Sequence, residues 1–148
     1  MKFVIELEPR TKKNHPRIVK GGVIPSKQYA IYRKEALKLL LAQERPSEPI
    51  NYPVNVKAVY YMATKRRVDK TNLESALMDI LVDAGILEDD NYKIAYSTDG
   101  SYVTVDKERP RTEVEIEKLY PSQIHALWLV KSIFGTKKKK RENTRKEE

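Results

Sequence analysis

Residues 52–90 constrain the fold of this chain more than any other stretch. From Tyr52 to Ala63 the residues Val54, Val56, Ala58, Tyr60 and Met62 alternate with Asn55, Lys57, Val59 and Tyr61, the period of two that a long β-strand requires. From about Asn72 to Ala84 the period changes, and Leu73, Ala76, Leu77, Ile80, Leu81 and Ala84 recur at spacings of three and four, the apolar face of a helix. Gly85 supplies the stop. Met78 and Val82 lie to the side of that face and widen it, which reads as a second packing surface and a candidate subunit interface.

The remaining elements follow the same logic. Lys2 to Glu8 alternates Phe3, Ile5 and Leu7 with polar neighbours and reads as a strand. Pro9 to Ser26, rich in Pro, Gly and basic residues, reads as a long loop or irregular hairpin. Ser26 is placed to cap a helix to about Ala42, in which Tyr29, Tyr32, Ala36, Leu37 and Leu40 share a face. Tyr92 to Ser97 and Tyr102 to Asp106 read as strands joined around Asp99-Gly100, a favoured hairpin dipeptide, and Thr112 to Leu119 as a last strand. The fold class is therefore α+β, a mixed sheet against two main helices. Residues 1–120 are the expected domain. Residues 121–135 follow as a short apolar helix, from Ile124 to Phe134 with Ser122 as cap, and residues 136–148 as a disordered basic tail.

Composition narrows function by exclusion. The chain has no cysteine, so it has no thiolate zinc site, disulfide or cysteine nucleophile, and the cytoplasm is the default compartment. No apolar run approaches the roughly 20 residues that span a bilayer, so a membrane partner is not expected. His15 and His125 stand apart, and no HExxH, P-loop lysine or GxSxG motif is present. A formal net charge of +8 favours a polyanionic partner, with nucleic acid first. Lys12, Lys13, Arg17 and Lys20 in the first loop, and Lys65, Arg66 and Arg67 before the second helix, are the phosphate-contact candidates, along with the tail.

The carboxylates carry the chemistry. Asp69 stands at the entry of the second helix, and Glu88, Asp89 and Asp90 follow its exit. About 13 helical residues span roughly 20 Å, so these groups meet only if the chain folds back. An extended return over Asp90 to Ser97 would carry a later acid towards Asp69. Converging carboxylates are the oxygen set that Mg²⁺ prefers, and phosphodiester hydrolysis is the chemistry it serves. Blander roles stand beside this one: Asp69 as a helix cap, Asp89 and Asp90 as solvated turn residues, Asp99 as a turn residue, and Asp83 as a solvent-facing residue on the stripe Asn72, Ser75, Asp79 and Asp83.

With these residues in view, the chain resembles the RusA-type Holliday junction resolvases. The spine of the likeness is Asp69, Asn72-Leu73, Asp79, Gly85 and Asp89-Asp90, supported by TKKNHPRIV at Thr11 to Val19, IPSKQYAIY at Ile24 to Tyr32, DGSYV and PRTEVEI, over roughly Lys2 to Lys118. The resemblance implies a homodimer of bacterial or prophage origin that makes paired Mg²⁺-dependent cuts in four-way DNA junctions, with Mn²⁺ as a substitute. Asp69 and Asp90 carry over as metal ligands, with Asp89 beside them. Two positions depart from the family pattern: Thr71 stands where a second Asp is found, and Ser75 where a lysine is found. Thr71 and Glu74 also match a capping box. The missing acid is sought first in Asp99 and next in Glu74, and the missing cation in Lys70, Lys93 or the Lys65, Arg66 and Arg67 patch. The rival is a basic protein that holds branched DNA without cutting it efficiently.

Overall fold

The computed structural model describes residues 1–12, 17–24 and 26–125. The chain divides into two units, Met1–Lys118 and Leu119–Glu148. Within the second, the described residues form a helical turn over 121–125, where the Tyr120 N–H donates to Gln123 Oε1 at 2.8 Å. The rest of the expected C-terminal helix and the tail lie outside the described residues.

The first unit is built on a mixed sheet. Its strands are β1 (Lys2–Ile5), β4 (Val54–Met62), β5 (Ala95–Ser97), β6 (Tyr102–Val105) and β7 (Arg111–Lys118), while β2 (Arg17–Val19) and β3 (Gly22–Ile24) form a separate antiparallel hairpin. The sheet runs β1-β7-β4-β5, with β6 also on β4. β7 is antiparallel to both its neighbours, and β5 and β6 are parallel to β4. Period-two patterning sorts the faces: Phe3, Ile5, Val54, Val56, Ala58, Tyr60, Val114 and Ile116 are buried in the core. The opposite face is charged, with Glu115 3.3 Å from Lys2 and 4.0 Å from Lys57. β1 stops at Ile5, short of the expected Glu8, because the Leu7 N–H turns back to the Ile5 carbonyl at 2.8 Å.

The helices α1 (Lys27–Leu41) and α2 (Lys70–Asp83) supply most of the rest of the core, and Ile50, Ala84, Ile86, Leu87 and Ile94 of the connecting segments complete it. Ser26 caps α1 as expected, its hydroxyl accepting from the Tyr29 N–H at 3.2 Å. α2 begins earlier than its apolar pattern. Its cap is Asp69, whose side chain accepts from the Thr71 N–H at 2.9 Å, and Glu74 pairs with Lys70 at 2.8 Å. A simple N-cap at Asp69, the cap role open to it from sequence, thus takes the place of a Thr71–Glu74 capping box, and its carboxylate also answers the positive end of the helix dipole. At the other end the Ile86 N–H reaches Leu81 O at 3.0 Å and the Gly85 N–H reaches Val82 O at 2.9 Å, with Gly85 at φ 68°. This is the six-to-one and five-to-two pattern of a Schellman stop.

Two expectations are corrected. The segment Tyr92–Val105 is not a hairpin, because β5 pairs with Val54 and Asn55 and β6 with Val59 to Met62, both parallel to β4. The turn at Asp99-Gly100 interrupts one edge strand in place of reversing it; Ser101 Oγ accepts from the Ala58 N–H at 2.9 Å, bridging the gap in the ladder. Met78, expected on a second packing surface, is only 8% exposed and belongs to the core. Val82 is half-buried and packs against that core.

Candidate active site

The path of the chain decides which acids share a place. α2 follows β4 at Met62 and returns along it, and after Gly85 the Ile50 N–H bonds Ile86 O at 2.9 Å and the Glu88 N–H bonds Ile50 O at 3.0 Å. Asp89 and Asp90 therefore sit at the Val54 end of β4, whereas Asp69 sits at its Met62 end, the length of a 14-residue helix away, or roughly 20 Å. The expected return of Asp90 to Ser97 beside α2 is not the path taken, because β5 joins the start of β4. The chain reaches the Met62 end again only with β6, where the Asp106 N–H donates to Met62 O at 3.0 Å. Among the described residues, no three His, Asp or Glu side chains come together as a set able to hold a metal.

Each sequence-selected residue has a definite setting. Asp69 is exposed at the N-cap of α2, with Lys70 next to it tied to Glu74. Asp89 and Asp90 are exposed, and Asp89 is the hub of its turn: Oδ1 accepts from the Asp90 N–H at 2.8 Å and Oδ2 from Asn91 Nδ2 at 2.7 Å. Those donors, the Asn91 amide first, hold the Asp89 carboxyl below its ordinary pKa, so it is ionised at neutral pH. Asp99 is exposed in the β5–β6 turn, and its backbone N–H donates to Asn55 Oδ1 at 2.8 Å, which puts it at the Val54 end with Asp89 and Asp90. Lys65, Arg66 and Arg67 are exposed in the loop that leads to Asp69, and Lys20 is exposed in the β2–β3 turn. Lys13 and the side chain of Arg17 lie outside the described residues.

One cavity is not announced by any local sequence pattern. Between the first turns of α1 and the second half of α2 lies a space of about 640 Å³, lined by Lys12, Tyr29, Ala30, Arg33, Asp79, Val82, Asp83, Asp89 and Asp90. Lys12 pairs with Asp79, and Arg33 Nε donates to Asp83 Oδ2 at 2.9 Å. Asp83 is thus held by a cation from the other helix and is not merely a solvent-facing residue. The signal that would have found this is the four-residue spacing of Asp79 and Asp83, which puts both on one face of α2, although nothing local says that α1 brings Arg33 to that face. The two pairs leave Asp89 and Asp90 as the carboxylates of the cavity without a lysine or arginine in hydrogen-bond or ion-pair contact among the described residues.

The family model of the RusA endodeoxyribonucleases matches residues 6–117, nearly the whole of the sheet-and-helix unit. The chain belongs to the RusA endodeoxyribonuclease family, and it is by that membership a DNA-cutting enzyme of the Holliday junction resolvase type. A comparison with curated proteins gives no match. Among the described residues no helix is long and apolar enough to cross a membrane.

Proposed function

We propose that the protein is a homodimeric, Mg²⁺-dependent endonuclease that resolves Holliday junctions and related branched DNA in recombination and repair, working in the cytoplasm of a bacterium or of a prophage host. Residues 1–120 carry the activity, and residues 121–135 and 136–148 are appendages. The observation that carries the reading is the placement of exposed carboxylates at the two ends of α2, Asp69 at one and Asp89-Asp90 at the other, in a chain of this family.

The donor chemistry fits a hard divalent ion. Asp69, Asp89 and Asp90 offer only carboxylate oxygens, and their exposure leaves coordination room for water and phosphate. One copy does not gather them, so the reading includes a second copy. In a two-fold dimer any contact between Asp90 of one subunit and Asp69 of the partner subunit occurs twice. Two equivalent sites then face opposed strands, as paired cuts require. Asp69 and Asp90 would hold a divalent ion there, which would supply charge neutralisation at the scissile phosphate and acidification of a water. The chain's own residues do the rest: Asp69 and Asp90 hold the ion, the Asn91-braced Asp89 orients the Asp90 turn, and Asp99 or Glu74 stands in for the acid that Thr71 replaces. Lys70 or Lys93 supplies the positive charge missing at Ser75, and Lys12, Lys13, Arg17, Lys20, Lys65, Arg66 and Arg67 hold the phosphates.

The test is cleavage of synthetic four-way junctions in Mg²⁺, repeated in Mn²⁺. Asp90→Asn and Asp69→Asn proteins should bind junctions and fail to cut them; wild-type cutting by either one sinks the assignment. One observation favours the rival, a non-catalytic junction binder: Asp69 Oδ1 is already engaged as a helix cap. Titration with Mn²⁺ separates the two, since a binder whose acids only cap and solubilise would be indifferent to the metal.

A further inference from the structure

Tyr92 is the most exposed large apolar side chain among the described residues, at 74%, and it stands two residues from Asp90. Its backbone is pinned on both sides. Asn91 is tied to Asp89 and accepts from the Lys93 N–H at 2.9 Å through Oδ1, while its carbonyl accepts from the Ala95 N–H at 2.9 Å. Ile94, buried at 4%, anchors the downstream side. A ring on so short and braced a turn is presented to solvent in one place, at little conformational cost to whatever meets it.

A second exposed ring lies at the same end of the sheet. Tyr52 is 39% exposed just before β4, whose first residue bonds the Tyr92 turn through the Val54 N–H to Ile94 O at 2.9 Å. Lys118 Nζ stacks over one face of the Tyr52 ring, 4.5 Å from its centroid, and Lys93 is exposed beside Tyr92. An exposed aromatic face, here that of Tyr92 and the face of Tyr52 that Lys118 leaves open, stacks bases of any sequence, and neighbouring cations attend the phosphates, the elements of a surface for single-stranded nucleic acid.

We infer that Tyr92, with Tyr52 as a second ring, stacks unpaired bases beside the Asp89-Asp90 turn, so that the preference for branched over duplex DNA resides here. The inference rests on the nuclease reading for its biological setting, but its chemistry is independent of the cut. A paired duplex keeps its bases stacked and offers no free face, whereas bases at a branch point are unpaired at low cost. The basic residues contact phosphates, which every form of DNA presents, and cannot make this distinction.

The experiment measures fluorescence anisotropy of the full chain, in chelator, on labelled oligothymidylate of about a dozen nucleotides and on a blunt duplex of equal length. Tyr92→Ala should weaken the single strand by about tenfold and leave the duplex unchanged, and Tyr92→Trp should restore single-strand binding. Equal loss on both ligands, no loss on either, no rescue by tryptophan, or no binding of oligothymidylate by the wild type overturns the inference. Junction cleavage by the wild type in Mg²⁺ is scored separately. A protein that binds single strands through Tyr92 but cuts no junction keeps the stacking surface and loses the nuclease reading; one that cuts junctions with Tyr92→Ala indistinguishable on oligothymidylate does the reverse.

Discussion

Mixing two inactive proteins tests whether the site is shared between subunits. Carboxylates on one Mg²⁺ must each bring an oxygen to about 2.1 Å from it, so two such oxygens lie within about 4 Å of each other. The two ends of α2, a helix of 14 residues, are separated by roughly 20 Å, and no rotamer of Asp69 or Asp90 spans that gap. In a dimer of one Asp69→Asn and one Asp90→Asn subunit, one shared site has lost both acids and the other keeps both. Random pairing of an equal mixture makes about half of the dimers mixed, each with one intact site, so the mixture should recover about a quarter of the wild-type sites. The intact site cuts one strand only, so the product is a nick. The two proteins are co-refolded and assayed on a four-way junction with each strand labelled in turn, the separate variants serving as blanks. A mixture no more active than its components would refute the reasoning and require both acids to act within one copy.

Three further outcomes follow from particular contacts. Gly85→Ala, at φ 68°, forces a side chain into the left-handed region and should cost about 1–2 kcal/mol, read as a fall in melting temperature with junction binding retained. Asp106 is held below its ordinary pKa of roughly 3.9 by the Arg109 N–H first and the Arg111 guanidinium next. Its stabilising contribution is therefore complete at neutral pH and is lost as pH falls through the depressed value. The melting-temperature gap between wild type and Asp106→Asn should shrink below about pH 4, and a gap constant from pH 7 to pH 3 would contradict this. Deleting Lys137 to Glu148 removes seven basic and three acidic residues, half of the net +8, and should flatten the salt dependence of DNA binding while cleavage persists. An unchanged slope would make the tail a bystander.

Much of the architecture was legible from local pattern, because periodicity and capping are properties of neighbouring residues. Ser26, the face from Tyr29 to Leu40, the alternation in β4 and the Gly85 stop all act within one or two turns of chain. What failed were inferences about partners. Asp99-Gly100 has the chemistry of a reversing turn, yet β4 is long enough to accept β5 and β6 in succession, and pairing with it wins over pairing with each other. Thr71 and Glu74 fit a capping box, but Asp69 lies closer to the chain's exit from β4 and starts the helix sooner.

For the site the division is sharper. The sequence by itself determined which residues carry charge and where along the chain they stand: Asp69 at one end of α2, Asp89 and Asp90 at the other, and the basic loops. Only the tertiary structure decided that these acids lie apart in one copy, that Lys12 and Arg33 pair with Asp79 and Asp83, and that Tyr52 and Tyr92 share an end of the sheet. The physical reason is that convergence of side chains depends on strand order and crossover path, which are set by burial of the whole core and not by any local stretch.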